Sequence, residues 1–157
     1  MKIVLLMIGK TDEAWLREGI AGYEKRIARY SRFESLILPD IKSSGTLPPA
    51  LVKEKEGEKI LGMLKPDDHV VLLDEHGKTY STLELASFMT TLLVTSKKRL
   101  VFIVGGAWGF HDKVMARADH NLSLSRLTFS HQLVRLLFAE QLYRVLSVIA
   151  GDPYHHE

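Results

Sequence analysis

Apolar residues in this chain fall into short continuous runs separated by longer stretches with helical spacing. Lys2 to Ile8 is unbroken after its first residue, the pattern of a parallel strand covered by helices on both faces. Phe33 to Leu38 reads as the second strand, and Val70 to Asp74 and Leu100 to Val104 are further apolar runs of strand length. Pro39 closes the first of these, and Pro66-Asp67-Asp68 and His76-Gly77 flank the second. At Asn121 to Ser125, Leu122 and Leu124 alternate with serines, as at the end of a half-buried strand.

Between these runs the spacing turns helical. Leu16, Ile20, Tyr23, Ile27 and Tyr30 form one apolar stripe, with Arg17, Glu18, Glu24 and Lys25 facing away. After a breaker-rich loop at Ser43 to Pro49, a second helix is predicted from about Pro49 to Leu64, with KEKEGEK as its exposed face and Ile60, Leu61 and Leu64 inward. Ser81-Thr82-Leu83-Glu84 fits a capping box opening the third helix. A short helix is expected near Asp112 to Arg117. The last takes His131 to Ala150, with Ser130 as N-cap and with Phe129 and Val134 spaced for a hydrophobic staple. The order βαβαβαβαβα predicts one α/β domain over residues 1–157, a mostly parallel sheet with helices on both faces.

Parallel strands open their C-terminal ends on one edge, where such sheets bind ligands. Three sequence features meet there: Leu73-Asp74, the glycine turn of VFIVGGAWGF (Gly105, Gly106, Gly109), and the strand-to-helix junction Leu124, Ser125, Arg126, Leu127, Thr128 and Phe129. Glycines permit positive φ and let a ligand approach the backbone. The turn is neither GxGxxG nor a P-loop, so the dinucleotide signature is weak. A tight turn needing glycine for geometry alone fits it as well.

Composition narrows the classes. An apolar fraction of 46% and a charged fraction of 25% describe an ordinary soluble globule. A formal charge of +2 is too small to argue for nucleic acid by itself. Without cysteine there is no disulfide or thiol chemistry, which fits a reducing cytoplasm. The apolar start MKIVLLMIGK is too short and too soon charged for a leader, and reads as a buried strand. Arg135, Glu140 and Arg144 interrupt the most hydrophobic helix, so no membrane span is expected. Seven histidines, five of them after residue 110, form no metal-ligand spacing, and no metal is expected. No GxSxG elbow supports acyl transfer.

The last helix is apolar on nearly all sides, so it is either central core or shared between subunits. Glu140 and Arg144 have the spacing of an i,i+4 ion pair. Gly151 and Pro153 stop the helix, leaving the tail DPYHHE. Fraying is the default for such a tail. Its aromatic and imidazole side chains also suit stacking on an unpaired base and contact with phosphate.

VGGAWG, LSLSRLTFSHQLVR, AEQLYR and the closing YHHE, in this order in a chain of this length, resemble the ribosomal large subunit methyltransferase H family of the SPOUT superfamily. KEKEGEKIL and the opening strand and helix resemble it too. The resemblance implies a deep C-terminal trefoil knot, a homodimer, S-adenosylmethionine as methyl donor, and methylation of N3 of a pseudouridine (the position-1915 class) in 23S rRNA on the assembled ribosome. By motif, Leu73, Gly105 and Leu124 to Phe129 would contact the cofactor. Arg135, Arg144, Tyr154, His155 and His156 form the expected RNA-facing group, with His155 and Glu140 as candidate bases for the N3 proton. Similar proteins usually carry arginine or lysine where this chain has His156, which would weaken a phosphate contact there and make it depend on pH. A SPOUT enzyme acting on another RNA such as tRNA, a non-catalytic ribosome-binding factor, and a nucleotide-binding α/β protein are the competing readings.

Overall fold

A computed structural model describes residues 1–42 and 45–156. Ser43, Ser44 and Glu157, which fall in the expected loop and at the end of the tail, lie outside the described residues. Ten elements alternate: β1 (Lys2–Ile8), α1 (Ala14–Ile27), β2 (Arg32–Leu38), α2 (Pro49–Met63), β3 (Asp68–Lys78), α3 (Thr82–Leu93), β4 (Arg99–Val104), α4 (Asp112–Arg117), β5 (His120–Leu122) and α5 (Leu133–Ala150). The strands form one sheet in the order β2-β1-β4-β3-β5, and every pairing is parallel.

Continuous apolar strands follow from that arrangement. From Ile3 to Ile8 every residue of β1 is buried, alternate side chains entering opposite layers. Ile3, Leu5 and Met7 pack with Ile27, Met89, Phe138 and Leu142 beneath α1, α3 and α5, whereas Val4, Leu6 and Ile8 pack with Ile60 and Val114 beneath α2 and α4. Each such side chain contributes roughly 1.5–3 kcal/mol by leaving water.

Several boundaries move from their expected places. In α1, Leu16, Ile20 and Ile27 are buried as the stripe predicts, but Tyr30 lies past the helix end and packs on the core from a turn. Strand β3 runs on through His76 and Gly77 to Lys78, because after a register shift Lys78 pairs with Leu122 of β5. Strand β5 is correspondingly short, and Ser123 to Ser125 leave the ladder. The expected exposed face of α2 needs the largest correction. Glu56 is buried, since Val52, Glu56 and Ile60 share one inward face at i, i+4 and i+8.

Polar anchors fix the layers. Ser81 and Glu84 close the capping box: the serine hydroxyl accepts from the Glu84 amide at 3.3 Å and the carboxylate accepts from the Ser81 amide at 2.7 Å. At the start of the sheet, Asp68 is 1% exposed and accepts from Arg99 Nε at 2.7 Å and Nη2 at 2.5 Å and from the Lys65 amide at 2.7 Å. Arg117 of α4 donates to the Asp68 and Lys65 carbonyls, both at 3.0 Å. This cluster ties β3, β4 and α4 together.

Burial alone would raise the Asp68 pKa, but the hydrogen bonds from Arg99 and Lys65 and the arginine charges outweigh it, and the net shift is downward. The stabilisation this brings is fully present above the unfolded value of about 3.9 and is lost as pH falls through the lower folded value. Asp68→Ala leaves Arg99 partly buried without its partner and should cost roughly 3–5 kcal/mol in urea unfolding at pH 7. At pH 2 the gap between variant and wild type should narrow.

Candidate active site

At the C-terminal edge of the sheet lies a cleft of about 610 Å³, within the range of small-molecule sites. Leu73 and Asp74 of β3, the glycine turn after β4, and the junction between β5 and α5 form its walls. Leu122, Leu124, Phe129, Val134 and Met115 make it largely apolar, and Asp74, Glu75 and Asp112 add carboxylates. Of the cofactor residues expected from sequence, Leu73, Gly105, Leu124, Ser125, Leu127, Thr128 and Phe129 line it. Arg126 does not. Its exposed side chain borders a separate hollow with Glu75 and Thr128.

Short-range hydrogen bonds hold the junction open without regular structure. Ser123 Oγ donates to the Ser125 carbonyl at 2.7 Å, and Ser125 Oγ accepts from the Leu127 amide at 3.0 Å. Thr128 Oγ1 donates to the Glu75 carboxylate, tying the junction to β3. The last helix begins at Leu133 instead of His131, with Gln132 and not Ser130 at its N-cap position and no side-chain cap; Ser130 instead closes the turn before it, its hydroxyl accepting from the Leu133 amide at 3.0 Å and its carbonyl from the Val134 amide at 3.1 Å.

The glycine turn is backed by the buried Glu56. A Cβ on Gly106 would lie 2.5 Å from both carboxylate oxygens, so a larger residue here requires the Glu56 carboxylate to move. Gly109 has the φ of +78° that the turn requires. Burial first, then the charge of Asp40, raises the Glu56 pKa against the opposing pull of Lys59. Its Oε2 is buried without a hydrogen-bond partner. Sequence spacing hid this residue inside a run of charges. Its i+4 distance from Val52 and Ile60 was the available signal.

Arg135 does not face RNA. It is 0% exposed, and its guanidinium donates to the carbonyls of Ile8 (2.5 Å) and Gly9 (2.9 Å), Thr11 Oγ1 (3.1 Å) and the His131 carbonyl (3.0 Å). The i−4 carbonyl of His131, the end of β1 and the loop after it take four of its five N–H donors, and the side chain has no exposed surface to offer phosphate. His131, not foreseen from sequence, lines the cleft. Burial, then the charge of Arg135, lowers its pKa, so a neutral imidazole faces the ligand side at pH 7.

The other residues of the expected RNA-facing group assemble away from these walls. Arg144 donates to Glu140 Oε1 from Nε at 3.0 Å and from Nη2 at 2.5 Å, and its guanidinium lies 4.8 Å from the Tyr154 ring centroid. Tyr154 packs 4.5 Å from Tyr143 and reaches Glu140 Oε1 at 3.4 Å, so the tail docks along α5 instead of fraying there. His155 is half-buried with an unpartnered Nδ1, and His156 is exposed. Glu140 stands six residues beyond Val134, about 9 Å along the helix axis, and neither it nor the tail lines the cleft. Among the described residues no group of three or more His, Asp and Glu side chains is placed to hold a metal ion. None of their helices is long and apolar enough to cross a membrane.

Comparison with known proteins places these features in context. A family model described as "Predicted SPOUT methyltransferase" matches residues 1–155. The ribosomal RNA large subunit methyltransferase H of Parabacteroides distasonis is 46% identical over 157 residues, covering 100% of both chains. That of Bacteroides thetaiotaomicron is 45% identical over the same span. Among solved structures, a probable methyltransferase from Bordetella pertussis Tohama I matches with a TM-score of 0.53 and 12% identity over 92% of this chain and 94% of that one, a likeness of fold.

Gly106→Ala should cost about 1–3 kcal/mol through collision with Glu56. Calorimetry of the double variant with Glu56→Ala tests the contact, because the collision is relieved there and most of the lost melting temperature should return. A double variant no better than Gly106→Ala alone would show that the turn rejects the methyl group for another reason.

Proposed function

The chain belongs to the SPOUT methyltransferase family, and from that membership we propose that it transfers the methyl group of S-adenosylmethionine to N3 of a pseudouridine, the position-1915 class, in 23S rRNA on the assembled ribosome. One observation carries the reading. In a chain 46% identical over its whole length to a ribosomal RNA large subunit methyltransferase H, the end of β3, the glycine turn and the β5–α5 junction line one cleft.

That cleft suits the donor. Leu73, Leu122, Leu124 and Phe129 give apolar surface for an adenine, while backbone groups of the junction and the glycine turn can read its edges. Asp74 and Glu75 supply acceptors for ribose hydroxyls, and the carboxylates together favour a cationic ligand. A neutral His131 adds no repulsion. The bound cofactor supplies an electrophilic methyl carbon, so the protein's tasks are alignment of the donor with the base and removal of the N3 proton.

Arg144, Tyr154, His155 and His156 are the RNA-facing group in this reading, with Arg135 withdrawn. Glu140 already accepts from Arg144, Gln141 and Tyr154 and so brackets the tail. The unpartnered Nδ1 of His155 makes it the preferred base. Since the tail docks outside its own subunit's cleft, we assign it to the cleft of a partner in a homodimer, joined through the half-buried apolar side chains of α5 such as Leu133 and Leu137 and the exposed Trp15. The C-terminal trefoil knot of the family, a cytoplasmic location, and target choice by the ribosome surface complete the reading.

Labelled methyl transfer to ribosomes from a strain lacking the protein, with the labelled nucleotide mapped, tests it. Label on N3 of the pseudouridine is the expected result. Label confined to another RNA, such as tRNA, overturns the target, and absence of both label and donor binding favours a non-catalytic ribosome-binding factor. Tyr154→Ala and Arg144→Ala should each lower the rate by about tenfold or more. Wild-type rates in both would remove the tail from the substrate site.

A further inference from the structure

At the edge of the sheet opposite the cleft, where the strands begin, lies a second groove of about 580 Å³. Lys2 of β1, Arg32 of β2 and Lys98 before β4 line it, with Tyr30 and the end of α5, and no acidic side chain does. The length of β1, seven residues, separates this edge from the cleft by about 20 Å. Beside it, the last turn of α1 and the turn after it carry Lys25, Arg26 and Arg29, all exposed.

Few of these charges are neutralised. Among the described residues Lys25, Arg29 and Arg32 make no ion pair, and Lys98 has only a solvent-exposed pair with Asp67 at 3.5 Å. Lys2 is paired with Glu34. Such a concentration is unusual in a chain whose formal charge is only +2. The patch is also continuous with the tail. Arg26 lies 5.7 Å from the centroid of Tyr143, the ring that holds Tyr154, and Tyr30 donates to the Asp152 carboxylate just before the tail.

We propose that this basic groove, with Arg29 beside it, is a second RNA-docking surface that holds the phosphodiester backbone of ribosomal RNA flanking the methylated nucleotide. The proposal rests on the rRNA-methyltransferase reading above. Exposed cations on long side chains, Arg32 and Arg29 without ion-pair partners and Lys98 with only a solvent-exposed one, fit phosphates, which set register and affinity. The groove would give the enzyme a foothold on RNA distant from the chemistry.

The test combines Arg29→Ala, Arg32→Ala and Lys98→Ala in one chain, all exposed and outside the cleft and tail. Binding to ribosomes lacking the modification is measured by filter retention across a salt series, independently of turnover. Affinity should fall by about tenfold or more, and the log–log salt slope should become shallower by about two to three. The KM for ribosomes should rise in step, with kcat and S-adenosylmethionine affinity unchanged. Arg29→Lys with Arg32→Lys, which keeps the charges, should bind as wild type does.

Wild-type affinity and salt slope in the triple variant overturn the proposal. So does a change of oligomeric state with ribosome affinity unmoved, which would assign the face to a second copy of the chain. If the wild-type protein binds ribosomes but methylates nothing, while the triple variant loses that binding, the groove stands and the enzymatic reading falls. A methylating wild type with an unaffected variant gives the reverse.

Discussion

The buried guanidinium of Arg135 is the contact on which the candidate active site depends. Taking a cation out of water costs several kcal/mol unless its donors are met, and here burial does lower the Arg135 pKa. Every nitrogen of the group is engaged: Nη2 with Ile8, Nη1 with Gly9 and Thr11, and Nε with His131. Gln132 extends the clamp by donating to the Lys10 carbonyl and accepting from the Asp12 amide. The exit of the interior strand β1 is thereby fixed to the start of α5 and the turn before it. His131 and Val134 of that segment line the cleft, so the network that buries Arg135 also positions the junction.

This explains why arginine reads ambiguously in the sequence. A basic residue just after an aromatic-flanked junction has the composition of a phosphate contact, and nothing in the spacing separates it from a buried clamp. The distinguishing partners, Ile8, Gly9 and Thr11, lie more than a hundred residues away along the chain. Glu56 is the same case with the opposite charge, hidden within KEKEGEK and turned inward by its helical phase. Long-range burial of a charge is set by tertiary neighbours, and local pattern reports it weakly.

Where local physics dominates, the sequence is far more legible. β1 and α4 match their expected bounds, β4 begins only one residue early, and the Ser81–Glu84 box forms as its spacing predicts. The three strand ends meet at one cleft because parallel order dictates it. β3 is misjudged because His76-Gly77 has turn chemistry, yet its backbone is recaptured by pairing with Leu122. There the edge strand β5 decides the length, an interaction that no short window of sequence contains.

Charge is the remaining organising variable, and its distribution matters more than its sum. Asp74, Glu75 and Asp112 line the cleft edge, and Glu56 and Asp40 stand behind its glycine turn. Lys2, Arg29, Arg32 and Lys98 gather at the opposite edge. A net charge of +2 therefore conceals carboxylates at one edge and a basic groove at the other. The first favours a small cation nearby and the second a polyanion. On the proposed function, in which a cationic donor passes a methyl group to an RNA base, a uniformly basic surface would repel the first partner while attracting the second. Separating the charges along the strand direction serves both, and the parallel sheet supplies the two edges on which to do it.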